Sequence, residues 1–165
     1  MRAFIFFLII ILCGTLQATV LGHFRVFNVK PDLLLLDMVM ASLIFKPRLA
    51  LSFSIFAGIF KDAFSAYTFG INMVLFPLWS LLIIFLSGKI TLEDDYIRLG
   101  LALSVAFIHN MAAGLLSVSA GSFIPLGILL RIIFVGAIYT GASFFLFVKF
   151  ATPLLAFSAK RHQSQ

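Results

Sequence analysis

The sequence predicts an all-α integral membrane protein with about six transmembrane helices, and three observations support this fold class. First, 62% of the 165 residues are hydrophobic and only 11% are charged, whereas a soluble domain of this size needs far more charge to cover its surface. Second, the mean hydropathy is +1.17. Third, charged or turn residues divide the apolar residues into separate runs. At roughly 20 residues per helix, six spans fill the chain, so we expect a single polytopic domain over residues 1–165.

The ends of the apolar runs predict the individual spans. The first run follows Arg2, and the second opens at Asp32, which is placed to cap a helix. The third follows Lys46-Pro47-Arg48, the fourth follows Gly70, and the fifth follows the acidic stretch Glu93-Asp94-Asp95. The predicted spans are Ala3–Leu21, Asp32–Phe45, Leu49–Phe60, Ile71–Ser87, Ile97–Leu116 and Phe123–Phe147, followed by a polar cytoplasmic tail over 158–165.

The second and third predicted spans are short, at about 21 and 18 Å against a hydrocarbon core of about 30 Å. They form either two short spans or one re-entrant hairpin that turns at Lys46-Pro47-Arg48. A hairpin that ended inside the membrane would bury two cations at its tip. We therefore favour two spans, which place these cations in water.

The distribution of Lys and Arg predicts the orientation. With the N-terminus inside, the inner side carries eight such residues and the outer side three, which is the bias expected of cytoplasmic loops. The inner residues are Arg2, Lys46, Arg48, Lys89, Arg98, Lys149, Lys160 and Arg161; the outer ones are Arg25, Lys30 and Lys61. Both termini are therefore predicted to be cytoplasmic.

Composition and motifs argue against several function classes. Cys13 is the only cysteine, so a disulfide framework or cysteine metal cluster within one chain is excluded. The net charge of +6 is explained by the loop bias, and no basic run with interleaved aromatics predicts nucleic-acid binding. No nucleophile–base pattern, metal-ligand spacing or glycine-rich phosphate loop is visible. We expect no enzymatic activity and no cofactor.

Polar residues inside apolar runs collect in the outer half of the predicted bundle, where they are candidates for a partner-binding or structural site. Asp32 is expected to cap the second span. Asp37 lies deeper and needs a partner or a proton, and His109-Asn110 is expected to form interhelical hydrogen bonds. Arg131 is expected to pair with Asp37 or Asp62 or to face a polar cavity. The full predicted cluster is Asp32, Asp37, Asp62, Ser65, Gly70, Asn72, His109, Asn110 and Arg131.

Small residues recur every four positions on the first span, at Gly14, Ala18 and Gly22. Such spacing lets helices approach closely. The stripe serves either packing within the fold or contact with another protein.

Two stretches resemble the rod shape-determining protein MreD family of bacteria. Val29-Lys30-Pro31-Asp32-Leu33-Leu34-Leu35 is similar to that family's "x-R-P-D-L-L-L" opening of the second span. Gly58–Asn72 is similar to its "G-x-x-x-D-x-x-S-G-x-x-x-G-x-N" segment, with Asp62, Ser65, Gly70 and Asn72 in register and Ala66 in place of a glycine. With the apolar first span, the resemblance covers roughly residues 14 to 75.

The resemblance implies a non-enzymatic component of the cell-elongation machinery in the bacterial inner membrane. It implies an MreC-like bitopic partner, and indirect association with the MreB cytoskeleton and the peptidoglycan synthases of elongation. It also implies a six-helix fold similar to the substrate-binding subunits of energy-coupling-factor transporters. A vitamin-binding subunit of such a transporter is the alternative function, since it too would keep polar groups in its outer half.

Overall fold

The computed structural model describes residues 2–20, 29–64, 70–89 and 95–160, which form helices and short connections with no β-strand among them. All six predicted segments are helical, and the bounds of the fourth agree with the prediction. The sixth helix continues through 158–160 of the predicted tail, and 161–165 lie outside the described residues. The helices are α1 (Arg2–Thr19), α2 (Leu33–Ile44), α3 (Pro47–Ala63), α4 (Ile71–Ser87), α5 (Asp95–Ser119) and α6 (Leu126–Lys160).

The short helix α2 lies at the centre of the bundle and packs against each of the other five helices. Every residue from Leu34 to Ser42 is buried. Its sequence has no polar face, which is the pattern of a helix surrounded by protein on all sides. The core therefore forms around α2, with Phe6 and Ile10 of α1, Phe76 of α4 and Phe144 of α6 fully buried against it.

Helices α3 and α4 approach closely at Gly58. A Cβ atom at this position would lie 2.5 Å from the carbonyl oxygen of Asn72 and 2.9 Å from Cα of Met73. A backbone cannot move aside as a side chain can, so only glycine fits here. Gly14 of the predicted small-residue stripe plays a similar part on α1, since its Cβ would lie 2.1 Å from the ring of Phe60. At Gly14 the stripe therefore serves internal packing.

Replacing Gly58 by alanine is expected to lower the free energy of unfolding by about 2–3 kcal/mol, because the methyl group would force α3 away from the backbone of α4. Thermal unfolding in detergent measures the effect. The matched control is Gly100→Ala in α5, where an added Cβ meets nothing within 4 Å. It is expected to be neutral or slightly stabilising. Equal behaviour of the two variants would contradict the close approach.

Three of the helices are long and apolar enough to cross a membrane: Arg2–Thr19, Tyr96–Ser119 and Leu126–Lys149. Two shorter helices, α2 and α4, are also apolar. Large apolar side chains are exposed along the outside of the bundle, including Phe4, Val74, Phe85, Phe134 and Ile138. This combination indicates a membrane protein.

Candidate functional site

Polar side chains from six helices meet at one level of the bundle. In each of α1–α5, this level lies about 18–22 Å from the far end of the helix, at a rise of 1.5 Å per residue. The residues at these far ends are Arg2, Ile44, Pro47, Ser87 and Asp95. We call this group the polar cluster; it consists of Gln17, Asp32, Lys61, Asp62, Asn72, His109 and Thr140.

Asp32 connects four helices. Its side chain caps α2 by accepting a hydrogen bond from the backbone N–H of Leu35, which confirms the predicted capping role. The same oxygen, Oδ1, accepts a hydrogen bond from Nε2 of Gln17 at 3.2 Å, and Oδ2 forms an ion pair with Lys61. The backbone N–H of Asp32 donates to the hydroxyl of Thr140 at 3.0 Å. Asp32 therefore ties α1, α3 and α6 to the start of α2.

Lys61 is the cation of the cluster, and its side chain is only 19% exposed. Besides the ion pair with Asp32, its Nζ lies 3.1 Å from Nε2 of His109 and 5.0 Å from the ring centroid of Phe76. An ammonium group only donates, so Nε2 of His109 must accept and Nδ1 must carry the hydrogen. The ion pair, the acceptor and the aromatic face together offset the cost of burying the charge.

Asp62, the next residue, faces away from this pair and caps α4. Its carboxylate accepts backbone N–H groups from Gly70 at 3.0 Å, Asn72 at 3.2 Å and Met73 at 2.8 Å, and the side-chain amide of Asn72 at 2.6 Å. These backbone groups are the unpaired donors at the start of α4, where the helix dipole also favours a negative charge. Gly70 adopts a left-handed conformation with φ of 88° to make this turn. The junction thus depends on Asp62, Gly70 and Asn72.

Asp37 lies apart from these networks, in the middle of α2. It is fully buried, and neither side-chain oxygen has a hydrogen-bond partner among the described residues. The thiol of the buried Cys13 lies close to it. The expected pairing of Asp37 with Arg131 is not formed.

Arg131 is exposed on α6 and forms no ion pair with Asp37 or Asp62. The prediction placed it about 12 Å inside the sixth span, but the helix begins at Leu126, so Arg131 lies only about 7 Å from its end. An arginine side chain can reach water from this depth. The expected pairing of Arg131 with Asp37 or Asp62 is therefore wrong, and Arg131 is not part of the polar cluster.

The exposed position of Arg131 predicts a small mutational effect. Arg131→Gln is expected to change the free energy of unfolding by less than about 0.5 kcal/mol, as is usual for surface substitutions without a buried partner. Thermal unfolding in detergent measures it. A loss of several kcal/mol would reveal a buried partner for the guanidinium group.

The remaining predicted site residues are divided between hydrogen bonding and packing. His109 bonds to Lys61, and the side-chain amide of Asn110 donates to the carbonyl of Ile132 at 3.2 Å, so this pair makes the expected interhelical hydrogen bonds. Ala18 is half-buried beside Lys30 and Lys61. Ser65 and Gly22 lie outside the described residues.

Three members of the cluster, Gln17, Lys61 and Thr140, were not among the predicted site residues. Gln17 is buried, and its Oε1 accepts the backbone N–H of Leu34 while its Nε2 donates to Asp32. A glutamine in an otherwise apolar run was a signal for such a role, because an unpaired amide in hydrocarbon is costly. Thr140 gives no comparable signal, since a threonine in a helix commonly bonds to its own backbone.

Three cavities of very different character are present around the described residues. The pocket beside the cluster has a volume of about 120 Å³ and includes Gln17, Lys30 and Lys61 in its walls. A groove of about 390 Å³ between α5 and α6 is lined mainly by apolar residues such as Phe107 and Phe134. A third cavity, of about 690 Å³, lies at the α5–α6 turn. Among the described residues, no group of three or more His, Cys, Asp or Glu side chains is placed to hold a metal ion.

Comparisons with protein-family models, curated proteins and solved structures found no match to this chain.

Proposed function

We propose that the protein is a non-enzymatic scaffold of the bacterial cell-elongation machinery in the inner membrane. It binds the transmembrane part of an MreC-like bitopic protein and, through it, supports rod shape and lateral peptidoglycan synthesis. Its association with the MreB cytoskeleton and the peptidoglycan synthases of elongation is indirect. The proposal joins the MreD resemblance to one structural observation: the two stretches that carry the resemblance meet where Asp32 pairs with Lys61.

The pairing within the cluster favours a structural role over ligand capture. The carboxylate oxygens of Asp32 and Asp62 accept hydrogen bonds from Gln17, Lys61 and Asn72 and from backbone N–H groups. A ligand would have to replace these bonds. The adjoining pocket of about 120 Å³ is also well below the roughly 300–1,000 Å³ of typical small-molecule sites. Both features support a scaffold over a vitamin-binding subunit.

The proposed topology has six crossings, both termini in the cytoplasm and a fold similar to the substrate-binding subunits of energy-coupling-factor transporters. The three helices of spanning length and the shorter apolar helices α2 and α4 support it. Lys46 and Arg48 are exposed at the α2–α3 turn, at the opposite end of these helices from the cluster. If the α2–α3 turn lies in water on the inner side of the membrane, the positive-inside bias explains why both cations occur there.

Labelling of single cysteines tests this topology. In a Cys13→Ala background, a membrane-impermeant maleimide is expected to label Ser122→Cys in intact spheroplasts. Arg48→Cys is expected to react only after permeabilisation. The reverse pattern would contradict the orientation, and labelling of both from one side would contradict the number of crossings.

Co-purification tests the function. The protein is co-expressed with the MreC-like protein of the same organism, extracted in mild detergent and captured by an affinity tag. Retention of the partner in near-equimolar amount supports the scaffold, with an unrelated single-pass protein as the control. Absence of the partner, together with a vitamin recovered by mass spectrometry, would favour the transporter subunit instead.

A further inference from the structure

We propose that the groove between α5 and α6 is the docking surface for the transmembrane helix of the bitopic partner, and that Arg131 pairs there with a carboxylate of that helix. The inference rests on the proposed scaffold role and adds to it the surface of contact and the chemistry of the partner. It is carried by the shape of the groove, by the helix face that the groove shares with Arg131, and by the positions of the acidic residues of this chain.

The groove is an apolar depression on the outside of the bundle. Its volume is about 390 Å³, and the lining residues lie within 103–108 of α5 and 134–138 of α6. Each wall is about 6–8 Å long at 1.5 Å per residue, which suits side chains one turn apart on a crossing helix. Phe107 and Phe134 pack edge to face across the two helices, with ring centroids 5.3 Å apart. The hydroxyl of Ser104 donates to the carbonyl of Gly100 at 2.8 Å, so this exposed serine offers an apolar partner no unpaired donor.

Arg131 continues this surface toward the start of α6, the end that the proposed topology places outside. Positions three and seven residues apart lie on the same side of a helix, so Arg131, Phe134 and Ile138 form one row. All three side chains are exposed. Arg131 lies about one helical turn beyond Phe134. A helix that fills the groove and runs along α6 therefore passes Arg131.

The guanidinium group of Arg131 has no hydrogen bond or ion pair among the described residues. It nevertheless belongs to Leu126–Lys149, a stretch of spanning length. Ionisable residues within such segments rarely face lipid and generally pair with another group or line a polar cavity. A docked helix would cover this side chain and would have to supply an acceptor. A carboxylate fits best, because it takes a guanidinium group through two parallel hydrogen bonds.

A second copy of this chain does not offer that carboxylate. The chain has six acidic residues: Asp32, Asp37, Asp62, Glu93, Asp94 and Asp95. The first three are buried, and the last three precede or begin α5, at the opposite end of that helix from the α5–α6 turn. Because two copies cross the membrane in the same direction, neither brings an exposed acid to the level of Arg131. The surface therefore fits a different chain, whose transmembrane helix carries an acid about 7 Å inside its outer end and apolar side chains below it.

Binding of the full-length MreC-like protein of the same organism tests the surface. The full chain is titrated in mild detergent with the fluorescently labelled partner, and the dissociation constant is measured. Ser104→Phe fills the groove without altering a charge, and Arg131→Gln removes the cation. Each is expected to weaken binding by about tenfold or more, through overpacking in one case and the loss of a covered charge pair in the other. Both positions are exposed, so thermal unfolding of the free protein is expected to stay nearly unchanged.

Two variants near the start of α3 are the matched controls. Ser52 is also exposed and donates to the carbonyl four residues earlier, that of Arg48, at 3.0 Å. Ser52→Phe therefore makes the same change away from the groove. Arg48→Gln removes an exposed arginine at the α2–α3 turn. Both variants are expected to bind the partner as the unaltered chain does.

Charge reversal and disulfide formation identify the occupant of the groove. Arg131→Glu is expected to abolish binding, and a lysine in place of the acid near the outer end of the partner's transmembrane helix is expected to restore it. In a Cys13→Ala background, Ser104→Cys is expected to form a disulfide with a cysteine placed midway along that helix. A disulfide between two copies of this chain would assign the groove to self-association, and no disulfide with either chain would leave it to lipid. Either outcome would overturn the proposal.

The same titration separates failure of this surface from failure of the scaffold role. If the unaltered chain binds the partner, and Ser104→Phe and Arg131→Gln bind it equally well, the docking surface is wrong and the scaffold role stands. If the unaltered chain does not bind the partner, the scaffold role is wrong and this surface with it.

Discussion

Replacing Lys61 by methionine is expected to lower the free energy of unfolding by about 3–5 kcal/mol, among the largest single effects in this chain. Methionine keeps the length and the apolar stem of the side chain, so little packing is lost. The carboxylate of Asp32, which is buried, would lose its cation and remain in the interior. Breaking a buried ion pair on one side has this cost, since the remaining charge is uncompensated. Thermal or chaotrope-induced unfolding in detergent measures the loss.

A double-mutant cycle distinguishes the pair from a general effect of removing charge. Asp32→Asn in the Lys61→Met background is expected to recover a large part of the stability, because asparagine retains an acceptor for Leu35 N–H without the charge. Lys89→Met provides the control, since Lys89 is exposed and its ammonium lies over the ring of Phe85. It is expected to cost less than about 1 kcal/mol. If the double variant lost the sum of the two single losses, the ion pair would not be the source of the effect.

The sequence predicted the helices well where their ends carry local signals. Asp32 after a proline marks the start of α2, and Gly70 marks the start of α4, because capping and left-handed turns need those residue types. The burial of α2 on all sides agrees with its lack of a polar face. These features depend on neighbours in sequence, which a single chain displays directly.

The partners of the polar residues could not be predicted in the same way. When a helix is apolar all round, its pattern does not show which side faces the interior, so its rotation about its own axis is undetermined. Arg131 was therefore assigned to the interior although it is exposed on α6. Lys61, which the sequence analysis only counted among the outer cations, is the partly buried partner of Asp32, which is 29 positions earlier in the sequence. Such pairings depend on the tertiary arrangement of helices.

The adjacent residue, Asp62, carries the second large expected effect. Asp62→Asn is expected to lower the free energy of unfolding by about 3–4 kcal/mol, although the two side chains have nearly the same shape. The carboxylate accepts N–H groups of Gly70, Asn72 and Met73 at the start of α4, two of them on Oδ2 and one on Oδ1. An asparagine has one acceptor oxygen, and its amide group would point hydrogens at backbone hydrogens. Hydrogen bonds to a charged acceptor contribute about 1.5–3 kcal/mol each, and unpaired backbone donors add to the loss.

Asp37→Asn is the matched control, because it makes the same chemical change at another fully buried aspartate. Asp37 accepts no backbone N–H among the described residues, so no capping bond is lost and the expected change is below about 1 kcal/mol. Amide hydrogen exchange adds a local readout: in Asp62→Asn, the first turn of α4 around Met73 should exchange faster, whereas Asp37→Asn should leave it protected. Equal losses of stability in the two variants would mean that burial alone, and not the capping of α4, determines the response. A loss confined to Asp62→Asn, with faster exchange at the start of α4, would identify this carboxylate as the group that holds the α3–α4 junction.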